Sequence, residues 1–378
     1  LDAFVVVLGS TGSIGKTSLN LAHKFNIGIE AISCNSNYEL LNEQILKFNP
    51  KFVCINDENL AKFVKHKQVF TGEQGILDML EACKSKLVIN SLVGFAGLAP
   101  SVKIQNLGKK LALANKESLV VGGKFLNAKE INPIDSEHFG LKFLLENKTP
   151  VDSLIITASG GAFYKTPIKA LKNVTAKDAL KHPNWDMGAK ITIDSATMAN
   201  KLFEVLEAFW LFGTDRINAL IEPTSMIHAL VAFKDGSTTA HLSRTDMSLA
   251  IAHAVLGDLN ASNSDQKNKK FTQNITANLD LLALKNIKFH KINLNKYSIF
   301  SLKDELLANP DLGVIVNAAN EIGVFKFLKN ECEFLEISRV VLKSVKEFRN
   351  TKITSLNELF EIDKEVRIWA SKEIKERV

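Results

Sequence analysis

Four cysteines in 378 residues are too few and too scattered to organise a fold. Cys34, Cys54, Cys83 and Cys332 form no CxxC pair and no metal-ligand spacing, which excludes a zinc ribbon or a disulfide framework. Reduced thiols and a cytoplasmic location are expected. Tyrosine is rarer still, with three. Residues four beyond Tyr38, Tyr164 and Tyr297 are Asn42, Ile168 and Ser301, so no Tyr–Lys pair exists to activate a phenol for hydride chemistry. No apolar run approaches membrane-spanning length, so no membrane partner is expected. The net charge of +6 is mild, and Lys and Arg are spread rather than blocked. That argues against a nucleic-acid surface and suits a protein handling anionic small molecules. Nor does any cysteine fall on the glycine-rich or carboxylate loops described below, which argues against covalent thiol catalysis.

What is present is alternation. "AFVVVLGS", "IGIEAISC" and "KFVCIND" read as buried strands, and "GKTSLNLAHKF", "NYELLNEQILKF" and "ENLAKFVKH" as the helices between them. "KLVINSLVG", "KLALANKES" and "VDSLIITASGG" continue the short apolar runs. Such runs between helical patterns predict a doubly wound α/β domain with a parallel sheet. At this length two or three domains are expected. After residue 220 "SMIHALVAFKDGSTTAHLS" predicts two strands around a two-residue turn at Asp235-Gly236, a hairpin able to face solvent or another subunit. Residues 258–280 are polar and turn-rich, as a linker would be. The last hundred residues read as helical, with Leu359, Ile362, Val366 and Trp369 forming an apolar stripe.

Gly9, Gly12 and Gly15 in "GSTGSIG" follow the first strand and open the first helix. A glycine turn there lets backbone N–H groups approach a diphosphate at a helix N-terminus. The spacing is GxxGxxG rather than GxGxxG, and a ligand-free tight turn is the alternative. The second strand ends "SCNSN" with no acid to bond a ribose 2′-hydroxyl, which favours NADP over NAD.

Polar clusters follow further strand-like runs: Asn115, Lys116 and Glu117; Asp135, Ser136 and Glu137; and Ser159. Ligands of open α/β sheets bind at such strand ends. In an extended segment Asp135 and Glu137 would share a side and could reach one cation, and oxygen ligands of this kind select Mg²⁺ or Mn²⁺. The alternative is that Asp135 or Ser136 caps the helix that follows. A third ligand could come from "HPNWDMGAKITIDSATMANKLFE", which is dense in Ser195, Asn200, Lys201 and Glu204. Lys201 and Glu204 would share a helix face, either as functional groups or as an exposed ion pair. The stretch from "GGAFY" to "NWDMG", with glycines at both ends, Trp185 and His182, suits a mobile cover closing over a site.

"GSTGSIG", "LALANKESLV", "PIDSEH", "ASGGAF", "KHPNWDMGAKITIDSATMANKLFE" and "NAANEI" together resemble the 1-deoxy-D-xylulose 5-phosphate reductoisomerases, in order and over essentially the whole chain. The resemblance implies a Rossmann-like NADPH-binding domain over 1–134 and a central α/β catalytic, metal-binding and dimerisation domain over 135–257. A lid over 159–189, a linker over 258–284 and a C-terminal helical bundle over 285–378 complete that division. It implies a homodimer that isomerises and reduces a phosphorylated sugar, with NADPH and Mn²⁺ or Mg²⁺, to 2-C-methyl-D-erythritol 4-phosphate in the non-mevalonate isoprenoid route. Position by position, Asp135, Glu137 and Glu204 match the metal carboxylates. Lys116 and Ser136 match contacts to the substrate backbone. Ser159, His182, Ser195, Asn200 and Lys201 match the pocket for its phosphate and hydroxyls, and Trp185 the lid residue over it. Thr11, Gly12, Ser13, Ile14, Asn37, Asn115, Glu117 and Gly188 match NADPH contacts. The sequence departs from the family at Asn35 (usually Gly), Glu222 (usually His) and Arg244-Thr245 (usually Glu-Pro). The residues alone also admit a metal-dependent NADP dehydrogenase acting on another phosphorylated ketone or hydroxy acid without rearrangement, or a dinucleotide sensor without turnover.

Overall fold

A computed structural model describes residues 4–146, 149–185, 187–261, 274–283, 286–375 and 377. The chain divides into two compact units, one of residues 1–115, 126–139 and 246–277, the other of 116–125, 140–245 and 278–378. These cut the chain differently from the three functional domains expected above.

The first unit is built on a fully parallel seven-stranded sheet. Its strands are β1 (Phe4–Leu8), β2 (Gly28–Cys34), β3 (Phe52–Ile55), β4 (Val69–Thr71), β5 (Leu87–Asn90), β6 (Lys110–Leu113) and β7 (Asn132–Pro133), in spatial order 4-3-2-1-5-6-7. Val5 to Leu8 are fully buried, as a central strand covered on both faces must be. The order reverses between β1 and β5, and the glycine turn follows β1 at that switch point, where parallel sheets open a crevice for ligands. The helix Ser13–Lys24 turns Leu19, Leu21 and Ala22 onto the sheet, and the helix Ser248–Ala261 adds Ile251, Ala252 and Val255 to the same core.

Two local expectations are corrected, and one strand was not foreseen. "ENLAKFVKH" forms only a 3₁₀ turn, Glu58–Phe63, capped by Asp57 and burying no residue. Leu60 and Ala61 pack only partly buried against the core, too little to sustain a longer helix. β4, whose three residues carry too little periodicity to read, follows it. Residues 135–137 are not an extended run, because a helix begins at Ser136.

The second unit carries a mixed sheet of β8 (Val151–Ala158), β9 (Ile217–Ile221), β10 (Ile227–Phe233) and β11 (Thr238–Leu242), in order 11-10-8-9. "VDSLIITASGG" therefore opens this sheet rather than extending the first, pairing parallel with β9 and antiparallel with β10. The β10–β11 hairpin forms around Asp235-Gly236, but its loop is longer than two residues. Phe233 N donates to the Ser237 carbonyl at 2.9 Å to close it, and Gly236 takes the left-handed position at φ 89°. Between β8 and β9 run the helices Ala189–Thr197 and Ala199–Phe212. The helices Leu312–Leu328, Phe334–Glu347 and Leu356–Glu373 pack in this unit too, with Leu359 and Val366 of the apolar stripe fully buried. Gly313 presses on the short helix Lys116–Gly122: a Cβ there would stand 2.0 Å from the Val120 carbonyl oxygen. That close approach fixes the helix on which Lys116 stands. The expected linker begins late, since the helix Ser248–Ala261 runs through 258–261, and residues 262–273 lie outside the described residues.

Candidate functional site

In the first unit the glycine turn has the shape a diphosphate needs. Gly9 takes φ 76°, and a Cβ on Gly15 would stand 2.3 Å from the Gly9 carbonyl oxygen. A Cβ on Gly12 would meet only that oxygen, at 3.4 Å, so the turn is open on the Gly12 side. The helix Ser13–Lys24 has no side-chain cap and no acid in its first turn, leaving its N–H groups and positive end for an anion. Thr11, Gly12, Ser13 and Ile14 line this end, and Gly12 and Ser13 are exposed. At the end of β2, Asn37 is exposed and its side chain caps the next helix, accepting from Leu40 N at 3.1 Å. Asn115, just after β6, is buried and donates to the carbonyls of Leu92 (2.9 Å) and Gly94 (2.8 Å), which ties two strand-end loops together.

Asp135, Ser136 and Glu137 follow β7. Asp135 Oδ1 accepts from Glu137 N at 3.2 Å and lies 3.5 Å from His138 Nδ1. The Ser136 hydroxyl donates to Glu137. Asp135 thus does cap the helix. Capping is compatible with holding a cation, because a carboxylate carries two oxygens and about four lone-pair sites. Hard carboxylate oxygens here fit Mg²⁺ or Mn²⁺ by donor chemistry.

In the second unit the helix Ala199–Phe212 turns Asn200, Lys201 and Glu204 to one side. Glu204 is 1% exposed. Lys116 Nζ reaches it at 2.9 Å and reaches Asn200 Oδ1 at 2.7 Å, while Lys201 and Asn200 also donate to Glu204. Lys201 and Glu204 do pair, but buried rather than exposed, which turns a weak contact into one whose loss is costly. The backbone reversal that starts this helix places Met198 at φ 73°.

A second cluster surrounds Ser159, at the end of β8. Its Oγ accepts from Gly161 N at 3.0 Å and lies 3.0 Å from His182 Nε2. His182 Nδ1 accepts from the backbone N–H groups of Asn184 (3.2 Å) and Trp185 (3.0 Å), so the ring proton of the neutral imidazole sits on Nε2 and donates to Ser159. Burial lowers the His182 pKa from 6.5 to about 4 and keeps it neutral. Ser159 Oγ accepts twice, which leaves its own proton to point at an anion. Trp185 meets His228 edge-on at 6.0 Å between ring centres. Ser195 is half-buried on the helix Ala189–Thr197, and Gly188, exposed with open space around its Cα, is the N-cap of that helix.

The sequence reading missed a buried charge network behind these groups. Glu117 pairs with Lys190, and Lys190 also reaches Asp194 at 3.0 Å. Asn320 Nδ2 donates to Asp194 Oδ1 at 2.7 Å. Burial raises the carboxyl pKa of both acids, but Lys190 outweighs it at Glu117, which is held below its usual range, while burial prevails at Asp194. The i,i+4 spacing of Lys190 and Asp194 on one helix was the available signal.

Family models match most of the chain. The one described as 1-deoxy-D-xylulose 5-phosphate reductoisomerase covers residues 5–123, and two for the C-terminal domain of that enzyme cover 131–212 and 242–369. The chain is 62% identical to the 1-deoxy-D-xylulose 5-phosphate reductoisomerase of Campylobacter curvus over 377 residues, 99% of this chain and 100% of that one. It is 61% identical to the Campylobacter hominis enzyme over 98% of this chain and 100% of that one. Among solved structures it is similar to a DOX-P reductoisomerase in complex with NADPH, fosmidomycin and magnesium (TM-score 0.87, 29% identity, 98% of each chain). It is likewise similar to the Zymomonas mobilis enzyme in complex with NADPH (TM-score 0.86, 30% identity, 98% of this chain and 99% of that one).

Proposed function

The chain belongs to the 1-deoxy-D-xylulose 5-phosphate reductoisomerase family, and from that premise we infer how its own residues divide the work. It is an NADPH- and divalent-cation-dependent oxidoreductase that isomerises and reduces 1-deoxy-D-xylulose 5-phosphate to 2-C-methyl-D-erythritol 4-phosphate in isoprenoid biosynthesis.

The glycine turn receives the NADPH diphosphate. Thr11, Gly12, Ser13 and Ile14 contact it, with Asn37 at the adenosine side and Asn115, Glu117 and Gly188 completing the cofactor contacts. What supports this is the uncapped, acid-free helix start and the open face of Gly12. Asp135, Glu137 and Glu204 hold the divalent cation, which when bound supplies Lewis-acid polarisation of the substrate's ketone and hydroxyl oxygens. Lys116 and Ser136 orient the substrate backbone. Ser159 offers its hydroxyl proton to the phosphate, neutral His182 lines the same pocket and aims that hydroxyl by donating to its oxygen, and Ser195, Asn200 and Lys201 hold the phosphate and the neighbouring hydroxyls. Trp185 covers the substrate and excludes water, as the central residue of a lid over 159–189. The functional division is 1–134 for NADPH, 135–257 for catalysis, 258–284 as linker, its start taken up by the end of the helix Ser248–Ala261, and 285–378 as helical bundle.

The observation that carries this assignment is Glu204: a buried carboxylate on which two lysines and an asparagine side chain converge. Desolvating so many charged groups costs more than packing alone would justify. We further propose a cytoplasmic homodimer with the β10–β11 hairpin at its interface. No helix among the described residues is long and apolar enough to cross a membrane.

The reading is tested by following NADPH absorbance with 1-deoxy-D-xylulose 5-phosphate and Mn²⁺, with and without a chelator. Consumption that stops with the chelator is expected. Chelator-insensitive consumption would return Asp135 and Glu137 to capping alone. Sedimentation at low protein concentration tests the dimer.

A further inference from the structure

Glu222 follows β9 directly and is fully buried, yet among the described residues no lysine, arginine or histidine pairs with it. A buried carboxylate without a cation is costly unless its lone pairs are taken. Here they are. Oε1 accepts from the Thr224 backbone N–H (2.8 Å) and hydroxyl (2.7 Å), and Oε2 from the N–H groups of Met226 (2.9 Å) and Ile227 (3.2 Å). The turn 222–226 is thus wound around one side chain. Within it Ser225 is held at φ 56°, a left-handed conformation that a non-glycine residue keeps only when its surroundings enforce it.

The turn has an output. The Asn184 side-chain N–H₂ donates to the Pro223 carbonyl and to Ser225 Oγ, both at 2.8 Å. Asn184 and its neighbour Trp185 give their backbone N–H groups to His182 Nδ1, whose other nitrogen meets Ser159. The circuit closes on the other side, where Glu222 N donates to the Ala158 carbonyl at 2.8 Å, one residue before Ser159. Every link from Ala158 through Glu222, the turn, Asn184 and His182 back to Ser159 is a hydrogen bond.

We infer that Glu222 is a positioning residue for the substrate pocket: it fixes the turn that clamps Asn184, and thereby sets the tautomer and aim of His182 and the placement of Trp185. The inference rests on reading Ser159, His182 and Trp185 as substrate groups. A carboxylate is required because four donors need two acceptor oxygens. A glutamine would turn an N–H₂ group toward two of them.

The test compares Glu222→Gln, Asn184→Ala and His182→Gln. The readouts are backbone hydrogen exchange over residues 182–185 and steady-state kinetics with substrate and NADPH varied separately. Glu222→Gln is expected to speed exchange at 182–185 and to raise the KM for 1-deoxy-D-xylulose 5-phosphate on the order of ten- to a hundredfold, leaving the KM for NADPH unchanged. Asn184→Ala, which keeps the turn, is expected to reproduce both effects, and in the double variant the losses should not add. Should Glu222→Gln fail to fold, Asn184→Ala decides alone. Unchanged exchange and unchanged substrate KM in these variants, with KM raised in His182→Gln, would overturn the inference and leave the pocket reading intact. Unchanged KM in His182→Gln as well would sink the pocket reading, and the inference with it.

Discussion

Lys116 Nζ and Glu204 Oε1 meet at 2.9 Å although 88 positions separate them in the chain, and both side chains are nearly sealed from solvent. The contact joins the short helix after β6 to the helix Ala199–Phe212. Glu204→Gln keeps the shape but removes the charge that both Lys116 and Lys201 answer. In the absence of cation it is expected to cost about 3–5 kcal/mol of stability, the penalty for stranding buried charge. Turnover should fall by about 10²–10⁴-fold even in folded protein. Urea unfolding and kcat measured on the same preparation separate the two.

Gly12 and Gly15 make opposite predictions. Alanine at Gly15 would drive a Cβ into the Gly9 backbone, so Gly15→Ala is expected to lower both stability and NADPH affinity. Alanine at Gly12 finds room within the protein but projects toward the diphosphate position. Gly12→Ala should therefore keep its melting temperature and lose NADPH affinity by roughly tenfold or more, about 1.4 kcal/mol. Thermal melts and fluorescence titration of NADPH check both.

Lys190 holds two buried carboxylates, Glu117 and Asp194. Lys190→Met removes the cation that both share, and a loss of about 3–5 kcal/mol is expected. An Asn320→Ala change removes only a neutral donor from Asp194, with a cost of about 1–3 kcal/mol. Equal losses in the two variants would show that Lys190 carries no more than its packing.

His182 supplies a pH signature. Its folded pKa is lowered by burial to about 4 from 6.5, so the unfolded chain binds the proton more readily. The stability that neutral His182 represents is full above pH 6.5, the unfolded value. It is lost progressively as pH falls from there to about 4. Unfolding free energies measured across that window should decline less steeply in His182→Gln than in the parent protein. Identical slopes would place the His182 pKa near its ordinary value.

Much of the fold was legible because burial on both faces leaves continuous apolar runs, as in Val5 to Leu8, and because Gly9, Gly12 and Gly15 mark the first turn. β4 was not, since three residues carry no period. β8 reads as one more strand of the first sheet, because an apolar run does not say which neighbours it pairs with. The site residues stood out through the motifs of the resemblance. Lys190, Asp194, Asn184 and Glu222 did not, because their roles depend on partners distant in sequence or on burial. Glu222 reads only as a departure from the family pattern until the turn it winds is seen.

That Asp135, Glu137 and Glu204 hold the divalent cation is tested most directly by titrating Mn²⁺ into the protein while following the free ion by electron paramagnetic resonance. The titration is repeated with Asp135→Asn, Glu137→Gln and Glu204→Gln. Each single variant is predicted to weaken Mn²⁺ binding by at least about tenfold. Binding as tight in all three as in the parent protein would contradict the assignment.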